Sequence, residues 1–85
     1  MEEVGEEVGR VTHYYSKIGV AVVELRAPLA KGDRIRIRGS TTNFEQTVES
    51  MQIEHKDIER AESGQAIGLK VIDKVREGDI VYKVS

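Results

Sequence analysis

Glycine recurs at positions 9, 19, 32, 39, 64, 68 and 78, and most of the stretches between these glycines are short and rich in Val and Ile. That punctuation constrains the chain more than any other feature, because short β-branched segments between turn residues read as many short strands rather than helices. "GRVTHYY" (9 to 15) and "IGVAVVEL" (18 to 25) read as a hairpin joined by the polar "SK". In the second of these, Ala21, Val23 and Leu25 share one face, opposite Glu24 and Arg26. "KGDRIRIRG" (31 to 39) enters by a Gly-Asp turn and then alternates strictly, with Ile35 and Ile37 inward and Arg34, Arg36 and Arg38 outward. "REGDIVYKV" (76 to 84) uses the same Gly-Asp entry, and "AIGLKVIDKV" (66 to 75) adds a further apolar strand. Pro28 lies in a connecting stretch, "RAPLAKGD", that reads as a surface crossing.

Residues 43 to 65 are ambiguous by pattern. Phe44, Val48, Met51, His55 and Ile58 follow the seam spacing of an amphipathic helix, with Thr42 and Glu45 as a capping box and Gly64 as the C-terminal cap. Ile53 falls off that seam. A strand reading brings Phe44, Val48, Met51 and Ile53 to one face if a bulge sits near Glu49 and Ser50. Five neighbouring strands leave little sheet for a lone helix to cover, so the strand reading is preferred.

Eighty-five residues make one small domain that buries roughly 60 to 65% of its unfolded surface. The chain has no cysteine, so no disulfide or thiolate metal site supports this thin core. No apolar run approaches the roughly 18 residues of a membrane span, and "MEEVGEEVG" lacks the features of a signal peptide, so a cytoplasmic protein without membrane contact is expected. The net charge of −2 hides an acidic tail over residues 1 to 7; from Val8 onward thirteen basic residues face eleven acidic ones. The folded unit is therefore expected over residues 8 to 85. One third of the residues are charged and Asn and Gln are scarce, which fits a thermophilic source.

The order "LAKGDRIRIRG", "QTVESMQIEHKDIERAESGQAIGLKV" and "REGDIVYKV" resembles the second domain of translational GTPases of the elongation factor Tu type. The match runs from about Val8 to Val84 and is most specific from Val48 to Gly68. A similar barrel is appended to collagenase-like peptidase family proteins, some of which act in RNA modification, and the chain is most like small stand-alone elongation factor-like proteins. The resemblance implies an all-β fold, a single six- to seven-stranded antiparallel closed β-barrel, and a binding module in translation or RNA metabolism that contacts tRNA or rRNA. Gln65 and Ala66 stand where elongation factors commonly carry an acidic residue and Asn that shape the pocket for the aminoacyl end of tRNA. Ala66 has no side-chain donor or acceptor, so binding in that manner is not expected. No GxxxxGK[ST] loop is present, so neither GTP binding nor GTP hydrolysis is expected.

Two groups of residues are candidates for RNA contact. Arg34, Arg36 and Arg38 project from one strand face at about 7 Å intervals, a spacing that can follow phosphates or, alternatively, pair with Glu24, Glu45 or Glu49. "THYYSK" gathers His13, Tyr14, Tyr15 and Lys17, suited to stacking bases and holding a phosphate, although one tyrosine is expected in the core. Glu54, His55 and Asp57 are too few for a metal site, and a packed or hydrogen-bonding His55 is the plainer expectation. No cofactor, metal or catalytic group is expected, and the chain reads as non-enzymatic. The other functional class is a protein-interaction module docking on a partner protein or enzyme, favoured if the exposed surface is apolar.

Overall fold

A computed structural model describes residues 5–84. Its ten strands are β1 (Glu6–Tyr15), β2 (Val20–Leu25), β3 (Leu29–Ala30), β4 (Arg34–Arg38), β5 (Asn43–Thr47), β6 (Met51–Ile53), β7 (Lys56–Ile58), β8 (Arg60–Ala61), β9 (Ala66–Lys70) and β10 (Ile80–Lys83). No helix occurs among the described residues. Eight strands form one antiparallel sheet in the order β5-β4-β10-β1-β2-β9-β6-β7, and β3 pairs with β8 in a small second sheet. Since β1 begins at Glu6, Glu6 and Glu7 of the acidic segment belong to the sheet, opposite Lys83 and Tyr82. The rest of the acidic tail lies outside the described residues, apart from Gly5.

The repeated Gly-Asp entry is one local structure used twice. In Ala30–Asp33 and in Arg76–Asp79 the fourth residue's N–H donates to the first residue's carbonyl at 3.1 Å, and its carboxylate accepts from the first residue's N–H at 2.9 and 2.8 Å. The third residue of each, Gly32 and Gly78, has φ near +95°, which a type II turn needs and a Cβ opposes. Each turn launches a strand, β4 or β10, and these two strands pair with each other, Ile35 opposite Lys83 and Ile37 opposite Val81.

The long strand β1 joins the two halves of the sheet and breaks register twice, between Glu7 and Gly9 and between Val11 and His13. Such bulges bend a strand and sharpen its twist. Here the first of them, at Val8, lets Val8 and Val11, on opposite faces of a regular strand, both enter the core. Gly9 is required at this bend, because a Cβ there would lie 2.7 Å from Val23 Cγ1 and 2.9 Å from the Glu24 carbonyl oxygen.

Residues 43 to 65 are strands, in line with the preferred reading. Val48 and Met51 are buried as expected, whereas Phe44 and Ile53 are only half-buried against the core. The change of face falls at Glu49 and Ser50, but the chain there is a corner outside any strand rather than a bulge within one. This corner corrects the expected closed barrel of six to seven strands. Leaving β5, which pairs with β4, the chain crosses Val48–Ser50 and re-enters as β6 at the other end of the sheet, paired with β9. No ladder joins the outermost strands β5 and β7, so the sheet curls into an open half-barrel.

One side chain spans the opening. Gln46 is buried at 5% exposure. Its Nε2 donates to the Lys70 carbonyl at 2.8 Å, and its Oε1 accepts from the Ile72 N–H at 2.9 Å. Its amide thus acts as a backbone unit inserted between β5 and the end of β9. Gln46→Met keeps the volume but leaves two backbone groups unpaired, each worth about 1 to 3 kcal/mol when buried. We expect a lower urea midpoint for this variant with little change in slope; an unaltered midpoint would show that the bridge contributes nothing. Met51, fully buried beside Leu69, gives an independent calibration: Met51→Ala should cost about 2 to 5 kcal/mol in the same titration.

Candidate functional site

The arginine row points outward from β4, as its alternation requires, but it is not a free cationic row. Arg34 Nε lies 3.3 Å from Glu45 Oε1, and Arg36 Nη2 donates to Glu45 Oε2. Arg34 also reaches the Thr47 hydroxyl at 3.4 Å. The register sets this arrangement, since Glu45 sits directly opposite Arg36 and diagonal to Arg34. The hydrogen bond from Arg36, with that from Arg34 and the charge of both guanidinium groups, holds the Glu45 carboxyl below its usual pKa despite partial desolvation.

Tyr14, Tyr15 and Lys17 lie elsewhere. Tyr14 is half-buried against the core, and Tyr15, 49% exposed, meets His13 edge to face at 4.3 Å. Arg38, the arginine nearest to them, aligns with Ile80 and then with Arg10 across β10 and β1. Tyr15 lies five residues beyond Arg10, so the two groups are on the order of 15 to 20 Å apart. The arginine row and the tyrosine end of β1 are thus set apart along the same sheet rather than side by side.

It assembles something the sequence reading missed. Past the end of β10, the outer face of β1, β2, β9 and β6 carries a groove of about 440 Å³. Val20 and Val22 form its floor with Gly68, which is directly opposite Val22. A Cβ on Gly68 would lie 3.3 Å from Val20 Cγ1, so the missing side chain is what leaves the floor open. Tyr15 and the 60% exposed Ile18, from the β1–β2 turn, line one side; Gln52, Glu54 and His55 line the other. The signal was present in the alternation of "GVAVVEL", whose second face is valine rather than charge at positions 20 and 22. A strand apolar on both faces places one apolar face toward solvent when only one side of the sheet is core.

The other candidates separate in the same way. Gln65 spends its side chain locally, accepting from the Glu62 N–H at 2.7 Å, whereas Ala66 is exposed on the groove. His55 is neither packed nor hydrogen-bonded to a described residue: it is exposed in the β6–β7 turn, and this corrects its expected role. Asp57 accepts from Gln52 Nε2 at 2.9 Å. Among the described residues no three His, Asp or Glu side chains converge as metal ligands, and no helix is long and apolar enough to cross a membrane.

Comparison with known proteins places this geometry in context. The model of the peptidase family U32 C-terminal domain matches residues 6–81. A protein of Methanocaldococcus jannaschii described as a protease is 51% identical over 77 residues, which cover 89% of this chain and 19% of that protein. A collagenase of Porphyromonas gingivalis is 40% identical over 78 residues, covering 89% of this chain and 22% of its own length. The chain thus spans about a fifth of these relatives. The crystal structure of the C-terminal domain of a Geobacillus thermoleovorans protein described as a U32 peptidase superposes with a TM-score of 0.87 at 26% identity, over 92% of this chain and 99% of that one.

The lowered pKa of Glu45 carries a sign that can be checked. A carboxyl with a folded-state pKa below its unfolded value adds stability above the unfolded pKa and loses it as pH falls through the folded one. The unfolding midpoint of the native protein should therefore drop more steeply below about pH 5 than that of Glu45→Gln. Parallel pH profiles would show that the Arg34, Arg36 and Glu45 cluster adds nothing to folding.

Proposed function

The chain belongs to the family of peptidase U32 C-terminal domains, and from that premise we propose that it is a non-catalytic docking module whose outer groove packs against the larger part of a U32-type peptidase. One observation carries the reading: Tyr15, Ile18, Val20 and Val22 gather around Gly68 on the outer face of the sheet, away from the core. Two exposed apolar side chains, Tyr15 and Ile18, grouped over the half-buried Val20 and Val22 mark an interaction surface more than a solvated one. The nature of the partner follows from proportion, since in the relatives a unit of this kind is joined to roughly four times its own length of other chain.

The elongation-factor likeness supports a second ligand class, tRNA or rRNA, through fold alone. Two of the three arginines that such contact would use are committed to Glu45, so the apolar groove is the better supported surface. The absence of catalysis is part of the proposal and rests on the division of labour: the reacting groups are assigned to the rest of the peptidase, and the half-barrel positions or stabilises it.

Calorimetric titration of the purified chain against the larger segment of a U32 peptidase from the same cells tests this. We expect saturable binding that Tyr15→Ser with Ile18→Glu weakens about tenfold or more, given about 1.5 to 3 kcal/mol for each large apolar side chain buried. Both residues are exposed, so unfolding midpoints should hardly move. Binding indifferent to this pair, or tRNA binding that Arg34→Gln with Arg36→Gln abolishes, would overturn the proposal in favour of nucleic acid.

A further inference from the structure

Glu54 and His55 form the two-residue turn between β6 and β7, where Ile53 pairs with Lys56. Their φ angles are +51° and +66°, the only positive values among described residues other than glycine. A two-residue hairpin with both central residues left-handed is a type I′ turn, which Asn-Gly fits and which a residue with an ordinary side chain adopts at a cost. Histidine tolerates this region better than most residues, but glutamate has no such excuse. Strain of this sort persists where a side chain is needed for something other than folding, and both side chains line the outer groove.

The chemistry at that end of the groove is specific. Glu54 supplies the only carboxylate among the lining residues, and it takes part in no ion pair with a described residue. The nearby Lys70 ammonium is held at the opposite side, donating to the Ile18 carbonyl at 3.1 Å. Between these ends the floor is Val20, Val22 and Gly68 on the adjacent strands β2 and β9, and the whole groove crosses four strands, β1, β2, β9 and β6, or about 14 Å. The geometry points to a polypeptide segment that places a bulky apolar side chain over Gly68 and a Lys or Arg against Glu54. The β6–β7 turn is therefore a recognition element, kept in an unfavourable backbone conformation to present Glu54 and His55 at the groove. This inference rests on the docking reading and adds the chemistry of the segment that docks.

Two short peptides serve as probes, acetyl-Gly-Phe-Lys-Gly-amide and its Glu counterpart, titrated into the full chain while the backbone amides of Val22, Glu54 and Gly68 are followed by NMR. The lysine peptide should move these amides and bind about two- to fivefold more tightly than the glutamate peptide, the range for an exposed ion pair. Glu54→Gln should erase that preference. The double variant Glu54→Asn with His55→Gly, which relieves the turn, should melt roughly 5 °C higher and yet lose the preference as well. Equal binding of the two peptides, a preference that survives Glu54→Gln, or no rise in melting temperature overturns the assignment of the turn. If Ile18→Glu leaves lysine-peptide binding untouched, the groove itself is not the docking surface, and the failure belongs to the broader reading.

Discussion

The buried amide of Gln46 holds together a sheet that its own ladders leave open. Strands β5 and β9 approach each other without pairing, because the corner at Val48–Ser50 has already carried the chain to its next partner. Two backbone groups near the end of β9 would otherwise lie unpaired beside the core. A primary amide offers one donor and one acceptor in the spacing of a peptide unit, and Gln46 uses both, on Lys70 and Ile72. The core beneath it, from Ile35 to Leu69, remains continuous without a closed cylinder.

That economy leaves its mark on the outer surface. The two Gly-Asp turns deliver β4 and β10 side by side, and their outward residues are the ion-paired Arg34 and Arg36, Arg38 opposite Ile80, and a half-buried tyrosine, Tyr82 opposite Arg36. Past the end of β10 the outer face changes character. There β2 and β9 carry Val20, Val22 and Gly68 outward; Val22 faces Gly68, and Val20 faces Lys70, whose ammonium is drawn off to the Ile18 carbonyl. The same sheet thus presents a solvated, ion-paired region and an apolar groove, and the division between them falls where β10 ends.

The groove and its strained turn belong to a unit that matches about a fifth of the chain length of its relatives. A small core has little stability to spare, yet the β6–β7 turn gives some of it up and the floor forgoes a side chain at Gly68. Both concessions fall on one surface. The Arg34, Arg36 and Glu45 cluster, by contrast, pairs its charges internally, although Arg36 Nε is left without a partner among the described residues.

Much of this was legible from residue order. Strict alternation at Arg34–Arg38 and Val20–Leu25 assigns inward and outward faces because the side-chain period of a strand is two, and the Gly-Asp turns announce themselves because few residues accept a positive φ. The choice of strands over a helix for residues 43 to 65 also stood, though periodicity alone favoured the helix. Three things waited for tertiary structure. Gln46 looked like an ordinary polar residue, since its worth depends on Lys70 and Ile72, distant in sequence. The open edge depended on which strand the corner at Val48–Ser50 would join, a question of long-range pairing that no local pattern encodes. The groove arose only when the β1–β2 turn, the β6–β7 turn and Gly68 were brought onto one face, because an outward valine signifies a binding surface only in the company of neighbours that leave it uncovered.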